Sequence, residues 1–434
     1  MAACERSALM LEVLFDQGQA DGGPKAPGFV ALPFSPAAPP EAPDRCALAL
    51  RLSDAAAALS DRDAIALLGD CRRLLRPGGR VYCDGRQGGA TFTRLARWAE
   101  FVGLVALGDD QAAPGWAKRQ PPAEAEPLVS ILMPAFNPRF FGAALDSALA
   151  QTWRHQEIIV SDDSEGDEIA AIVASRAKRG NIRLVQNRPR LRARRNYAQC
   201  VALARGEFVK FLNDDDLLAP QCVAIMVAAF QKVPDLVLAT SHRWRINEAS
   251  QVVADMPATR PVMGGDWVID GVSLANAAIM HGLNFIGEPS TLMFRRSDFD
   301  PRPLLDADKP FHCNGAEVIG AVDYAMWSRV LVQGNAVFFK KRLCSFRSHP
   351  EQAQAKTEVV ERSIDGIRGL QRMWIDLALF RRWPPHLVAI QPLERAATPG
   401  TLWRAETLRT LRAPSIAADE AIRQWRATAR HPFE

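Results

Sequence analysis

No stretch of this 434-residue chain stays apolar for the roughly 20 residues that cross a bilayer. The N-terminus lacks a basic n-region and a cleavage site, so secretion is not expected and a cytoplasmic location is. The eight cysteines are scattered with no C-x-x-C pair and no zinc spacing, and read as reduced core or surface thiols. A net charge of +4 is too small to argue for a polyanion partner. Aromatic residues do not interleave with the basic ones, so no nucleic-acid module is expected. The length allows two or three domains with a large core. High Ala, Arg and Pro content suggests a GC-rich bacterial genome.

The most informative segment is Phe208-Val209-Lys210-Phe211-Leu212-Asn213-Asp214-Asp215-Asp216. A β-prone apolar run ends in three adjacent carboxylates. These repel one another at pH 7 and make poor core. They suit the exposed end of a buried strand, where a hard cation takes carboxylate and phosphate oxygens. A plain acidic turn is the alternative for a bare D-x-D.

Upstream, Leu128 to Asn137 is an apolar strand that stops at Pro and Asn. A helical pattern follows, with Leu145, Ala148, Leu149 and Thr152 on one face. Glu157 to Ser164 is a second apolar strand ending in Asp162 and Asp163. Strand, helix, strand at this spacing implies a βαβ unit and a parallel sheet buried on both faces. Ligands bind such sheets beyond the carboxyl ends of the strands.

Six segments carry a resemblance. They are Ser130–Asn137, Glu157–Ser164, Ala193–Tyr197 with Ala204–Phe208, Gly287–Arg296, Asp323–Arg329 and Phe346–Gln352. In this order, from about Leu128 to His349, they resemble a family 2 glycosyltransferase with the GT-A fold, an α/β, Rossmann-like nucleotide-diphospho-sugar transferase. The resemblance implies an inverting enzyme that moves a sugar from a nucleoside-diphosphate sugar, UDP- or dTDP-linked, to a glycan, lipid-linked or protein hydroxyl. It implies Mn²⁺ or Mg²⁺ as cofactor. Asp163 would accept from the nucleotide base, with Pro134, Ala135, Phe136 and Asn137 beside it. Asp215 would hold the metal, and His349 matches a position that approaches the metal or pyrophosphate. Asn213 stands where the first acid of the D-x-D is usual, and Asp214 or Asp216 would compensate. Asp323 would be the catalytic base, and Glu288 lies in the segment lining the donor sugar. Taken alone, Asp323 reads equally as a helix N-terminal acid, and His349 as a surface histidine before Pro350. Among Arg188, Arg190, Arg192, Arg194 and Arg195, Arg194 is the better diphosphate contact.

Residues 1–108 read as a separate unit. Ala47–Leu52 is a short strand, and Ser60 with Asp63 makes a capping-box-like helix start. Ile65, Leu68, Cys71, Leu74 and Leu75 line one helical face. Pro77-Gly78-Gly79 breaks the helix before a strand at Arg80. The run Cys71–Tyr82 resembles the helix and turn of class I methyltransferases. The glycine-rich loop and the ribose acid of that family are missing, and Gly18, Gly22 and Gly23 read as loop. The unit is therefore expected to be truncated and non-catalytic. Residues 109–127 are the expected linker, 128–350 the GT-A domain, and 351–434 a helical C-terminal extension. Its tryptophans Trp374, Trp383, Trp403 and Trp425 among arginines would allow peripheral contact with the inner face of a membrane; packing on the catalytic domain is the preferred reading. The rival readings are a bifunctional methyltransferase–glycosyltransferase and a non-catalytic scaffold. Donor sugar, acceptor, linkage and oligomeric state are not legible.

Overall fold

The computed structural model describes residues 10–15, 30–33, 47–52, 56, 59–83, 90–107, 115–118, 126–233, 235–255, 264–282, 284, 286–299, 311–313, 316–318, 322–352, 357–377, 379, 386–396, 403–407 and 411. Gly18, Gly22, Gly23, Trp383 and Trp425 lie outside these residues.

Among the described residues the N-terminal unit is a six-stranded sheet with two helices. Its elements are β1 (Met10–Phe15), β2 (Val30–Pro33), β3 (Ala47–Leu52), α1 (Asp61–Leu74), β4 (Leu75–Cys83), α2 (Ala90–Phe101), β5 (Leu104–Ala106) and β6 (Gly115–Lys118). Their spatial order is β2-β1-β3-β4-β6-β5. β3 and β4 run parallel, whereas β1 is antiparallel to β3 and β6 antiparallel to β4. Helix α1 starts where its cap dictates: Ser60 Oγ accepts from the Asp63 N–H at 3.2 Å and donates to the Asp63 carboxylate at 2.8 Å. Ile65, Leu68, Cys71 and Leu74 are buried. The Pro77-Gly78-Gly79 stretch is not a break between elements but part of β4.

The expected linker needs correction, because residues 115–118 are strand β6 of this sheet. Trp116 is buried and stacks on Phe92, ring centroids 4.8 Å apart. A Cβ at Gly115 would lie 2.0 Å from the Val81 carbonyl oxygen, so only glycine allows this approach. Four residues between prolines carry too little periodicity to announce a strand. Lys118, the last of them, forms a buried ion pair of 2.7 Å with Asp235 of the second unit.

The larger unit begins with β7 (Val129–Ala135), α3 (Pro138–Leu149), β8 (Gln156–Asp162), α4 (Glu168–Arg176), β9 (Ile182–Gln186), α5 (Arg192–Leu203) and β10 (Phe208–Phe211). β10, β7, β8 and β9 are adjacent and parallel. The sheet is buried on both faces, as the apolar runs require. Val129, Ile131 and Met133 meet Phe141, Leu145 and Ala148 of α3, while Leu132, Ile159 and Phe211 belong to the core that contains Ala198 and Val201 of α5. Asn137 caps α3, its Oδ1 accepting from the Arg139 N–H at 3.0 Å, and Pro138 fills the first turn. Thr152 lies beyond the end of α3 and is exposed.

Next come β11 (Leu217–Leu218), α6 (Cys222–Lys232), β12 (Leu236–Ile246), β13 (Val252–Val253), β14 (Trp267–Asp270), α7 (Gly271–His281), β15 (Met293–Arg295), β16 (Phe311–Cys313) and β17 (Ala316–Val318). Helix α8 (Val322–Leu331), the long strand β18 (Asn335–Arg347), α9 (Thr357–Asp376), β19 (Leu387–Pro392) and β20 (Arg404–Thr407) complete it. The large sheet has the order β20-β19-β14-β18-β12-β15-β10-β7-β8-β9.

The C-terminal extension is thus only partly helical, which corrects the second boundary. Helix α9 is present, but β19 and β20 add two strands to the large sheet. Val388, Ala389 and Ile390 are fully buried there. A short apolar run cannot be told from a buried helical segment by periodicity. Trp374 is buried on α7, donating its indole N–H to Asn276; Ile364 and Ile375 stay exposed on the outer face of α9. No helix among the described residues is long and apolar enough to cross a membrane.

Candidate active site

The carboxyl ends of β7, β8 and β10 lie side by side and open on a cavity of about 710 Å³. Pro134, Phe136, Asn137, Asp163, Arg194, Asn213, Asp214, Asp215, Asp323 and His349, all expected at the site, line it. Ala135 and Glu288 do not. Ala135 is fully buried and contributes its carbonyl oxygen to the Asp163 N–H at 2.9 Å. Glu288 turns its carboxylate to Arg243, with contacts of 2.6 and 3.0 Å.

The three consecutive acids are reconciled by pointing apart. Asp214 accepts from the N–H groups of Phe136 and Asn137, both at 2.7 Å, and so ties the end of β7 to the end of β10. Burial, and then the charge of Asp215, push its carboxyl up to about 6. Asp216 is fully buried, accepts from the Arg347 N–H at 2.9 Å, and is pushed well above the usual carboxylate range by burial. Asp215 lines the cavity with its carboxylate beside the closing motif. Its Oδ2 lies 3.1 Å from His349 Nε2 and 3.2 Å from the Gln352 amide nitrogen.

Asn213 is engaged at both ends of its amide. Its Oδ1 accepts from the Tyr197 hydroxyl and its Nδ2 donates to Asp216 at 3.4 Å. It is a link between Tyr197 and the acid loop. Burial and the neighbouring carboxylates keep the Tyr197 phenol protonated.

Asp163 holds the entry to α5. Its carboxylate accepts from the N–H groups of Leu191 at 2.6 Å and Arg192 at 2.8 Å. That anchor turns Arg190, Arg192 and Arg194 to the cavity at the positive end of α5. Arg190 stacks its guanidinium 4.6 Å from the ring centroid of Phe136, which is 52% exposed at the rim.

Asp323 lines the same cavity from the first turn of α8. Its Oδ2 accepts from Asn284 Nδ2 at 3.3 Å. Burial, and also the charge of Glu288, push its carboxyl up to about 6, against the hydrogen bonds that favour the ionised form. Asn284, Gln352 and Arg347 carry contacts that the sequence did not announce. Gln352 and Arg347 lie in the closing motif without an assigned role, and Asn284 lies outside any motif.

Among the described residues no group of three His, Cys, Asp or Glu converges on one point. The fit to a divalent cation rests on Asp215 and His349, an oxygen and a nitrogen donor facing one cavity. That mixed pair suits Mn²⁺ better than Mg²⁺, which prefers an all-oxygen octahedron. His349 Nδ1 is buried with no hydrogen-bond partner, while its Nε2 stays on Asp215 and its ring packs 5.2 Å from that of Phe140.

Comparison with known proteins adds three findings. The model of glycosyl transferase family 2 matches residues 130–300. An uncharacterized protein of Mycobacterium tuberculosis (strain CDC 1551 / Oshkosh) is 30% identical over 243 residues, 52% of this chain and 68% of that protein. Chondroitin synthase of Escherichia coli is 33% identical over 116 residues, 26% of this chain; the chain spans only 16% of that relative's length. Among solved structures, a mannosyltransferase from Pyrobaculum calidifontis in complex with GDP-Man and Mn²⁺ is similar at 16% identity and a TM-score of 0.39, over 79% of this chain and 83% of that one.

Proposed function

The chain belongs to glycosyl transferase family 2, and on that premise we propose that it transfers a sugar from a nucleoside-diphosphate sugar to an acceptor hydroxyl with inversion at the anomeric carbon. The observation that carries the reading is a single cavity lined by both Asp323 and the Asp215–His349 pair. The diphosphate lies near Asp215 and His349, with Arg194 and the start of α5 facing its charge. A divalent cation held by Asp215 and His349 would stabilise the charge of the leaving diphosphate. Asp323 accepts the proton of the attacking hydroxyl, and a carboxyl raised to about 6 is ionised at neutral pH yet more basic than an ordinary one. Asp163 and Phe136, which line the same cavity, serve the nucleotide base.

UDP- or dTDP-sugars are the expected donors, and a surface glycan, lipid-linked glycan or protein the acceptor, in the cytoplasm of a bacterium or at the inner face of its membrane. The N-terminal unit is read as non-catalytic. Supporting this, the neighbour of β3 on the side away from β4 is β1, which runs antiparallel to it; a methyltransferase sheet needs a parallel, glycine-ended strand there.

The test incubates the full chain with UDP-, dTDP- and GDP-sugars, with Mn²⁺ or with chelator, and follows nucleoside-diphosphate release. Release from at least one donor, abolished by chelator, is expected. No release from any donor by a folded chain overturns the reading.

A further inference from the structure

Asn284, in the turn between α7 and β15, touches Asp323 without lining the cavity. Asn284 Oδ1 accepts from the Gly287 N–H at 3.2 Å, which fixes the amide so that its NH₂ faces the Asp323 carboxylate. Gly287 has φ +118°, and a Cβ there would lie 2.0 Å from Thr291 Oγ1, so the turn needs glycine. The next residue, Glu288, closes the turn through its carbonyl, which accepts from the Thr291 N–H and hydroxyl, both at 2.8 Å. Its carboxylate is buried in a two-point ion pair with Arg243 of β12. The turn is therefore anchored at one end to the sheet and at the other to the base.

We propose that this turn positions Asp323, with Asn284 directing a hydrogen bond onto its carboxylate and Glu288, pinned by Arg243, holding a second carboxylate in the same turn. The proposal rests on Asp323 being the base. Four further groups act around that carboxyl. They are the Tyr324 N–H on its own helix, the Tyr324 hydroxyl, Tyr197 from α5, and Arg243 behind Glu288. Asp255 neighbours Arg243 and shares its charge. Asn284 and Glu288 can each be neutralised or shortened without touching the cavity lining. They push in opposite directions, which a merely structural role would not produce.

The experiment follows UDP release from UDP-N-acetylglucosamine, or from whichever nucleotide sugar the full chain turns over, between pH 5 and 8.5. Asn284→Ala is expected to move the acidic limb of kcat upward by about one unit, the worth of one hydrogen bond to a charged group. Glu288→Gln is expected to move it downward. Both should leave KM for the donor unchanged. The same ordering is read without substrate from the pH dependence of the Tm gap between each variant and its double mutant with Asp323→Asn. Limbs that stay in place, or that move in the same direction, overturn the proposal. Asp323→Asn separates the two levels. If it keeps transfer within about threefold of wild type, the base assignment itself fails; if it is inactive while the limbs stay in place, only the turn's positioning role fails.

Discussion

His349 Nε2 lies 3.1 Å from Asp215 Oδ2, although the two residues are 134 positions apart. Strand β18 makes this contact. It pairs antiparallel with β11 just after the acid loop, and its last residue, Arg347, donates its backbone N–H to Asp216 and its Nε–H to the Asp215 carbonyl at 2.8 Å. The closing motif is thereby delivered onto the acids.

This pair makes the first prediction. In calorimetry with UDP as the probe, binding should need Mn²⁺ or Mg²⁺, and chelator should weaken it. Asp215→Ala should remove that dependence, while His349→Ala should weaken it and leave some. Equal UDP affinity with and without chelator in the wild type would remove the metal from the reading.

Asp323→Asn should fold and bind nucleotide as the wild type does, yet transfer sugar about 10²–10⁴-fold more slowly, since the amide keeps the shape but cannot take a proton. A helix-terminal acid with no catalytic part would instead cost below about 1 kcal/mol of stability and leave transfer nearly intact. Tm, nucleotide affinity and transfer rate on this one variant separate the outcomes.

The same substitution has a signature in stability against pH. The Asp323 carboxyl is raised to about 6 by burial and Glu288, above its unfolded value of about 3.9. The folded state then binds the proton more tightly, so wild-type stability falls as pH rises from about 4 to about 6 and stays low above that. Asparagine does not titrate. Its Tm advantage over wild type should be largest near pH 8 and shrink toward pH 4. A gap that widens on acidification would contradict the sign.

The Lys118–Asp235 pair joins the two units. Both side chains are buried, so Lys118→Met leaves a charge with one partner fewer and should cost about 3–5 kcal/mol. Adding Asp235→Asn should recover part of this, because Asn tolerates the φ of +63° at that position. A Tm of Lys118→Met equal to wild type would show that the pair does not hold the units together.

S-adenosylmethionine should produce no thermal shift in the full chain, even at millimolar concentration. A saturable rise in Tm would revive the bifunctional reading.

Much of the parallel core is legible in the sequence. Apolar runs ending at Asn137, Asp163 and Asn213 mark three strand ends, and a buried parallel sheet admits one side for the ligand. Strand β3 and the Ser60 cap follow from local patterns as well. Other features depend on long-range packing. The pattern Asp214-Asp215-Asp216 does not tell which way each acid points, because that is decided by N–H groups from Phe136, Asn137 and Arg347. Strand β6 depends on the close approach of Gly115 to Val81, and β19 on an open edge at β14. Asn284 reaches Asp323 across 39 positions.

The pairing of β12 with β18 runs from Leu236 opposite Asn335 to Ile246 opposite Arg347. During synthesis at about 5–20 residues per second, the earlier strand leaves the ribosome roughly 5–20 s before its partner begins to appear. For that interval the nascent chain presents a strand edge that waits for β18 and an acid loop whose histidine has not yet been translated. The length of that wait is written into the order of the strands, and slow codons between residues 247 and 334 would lengthen it.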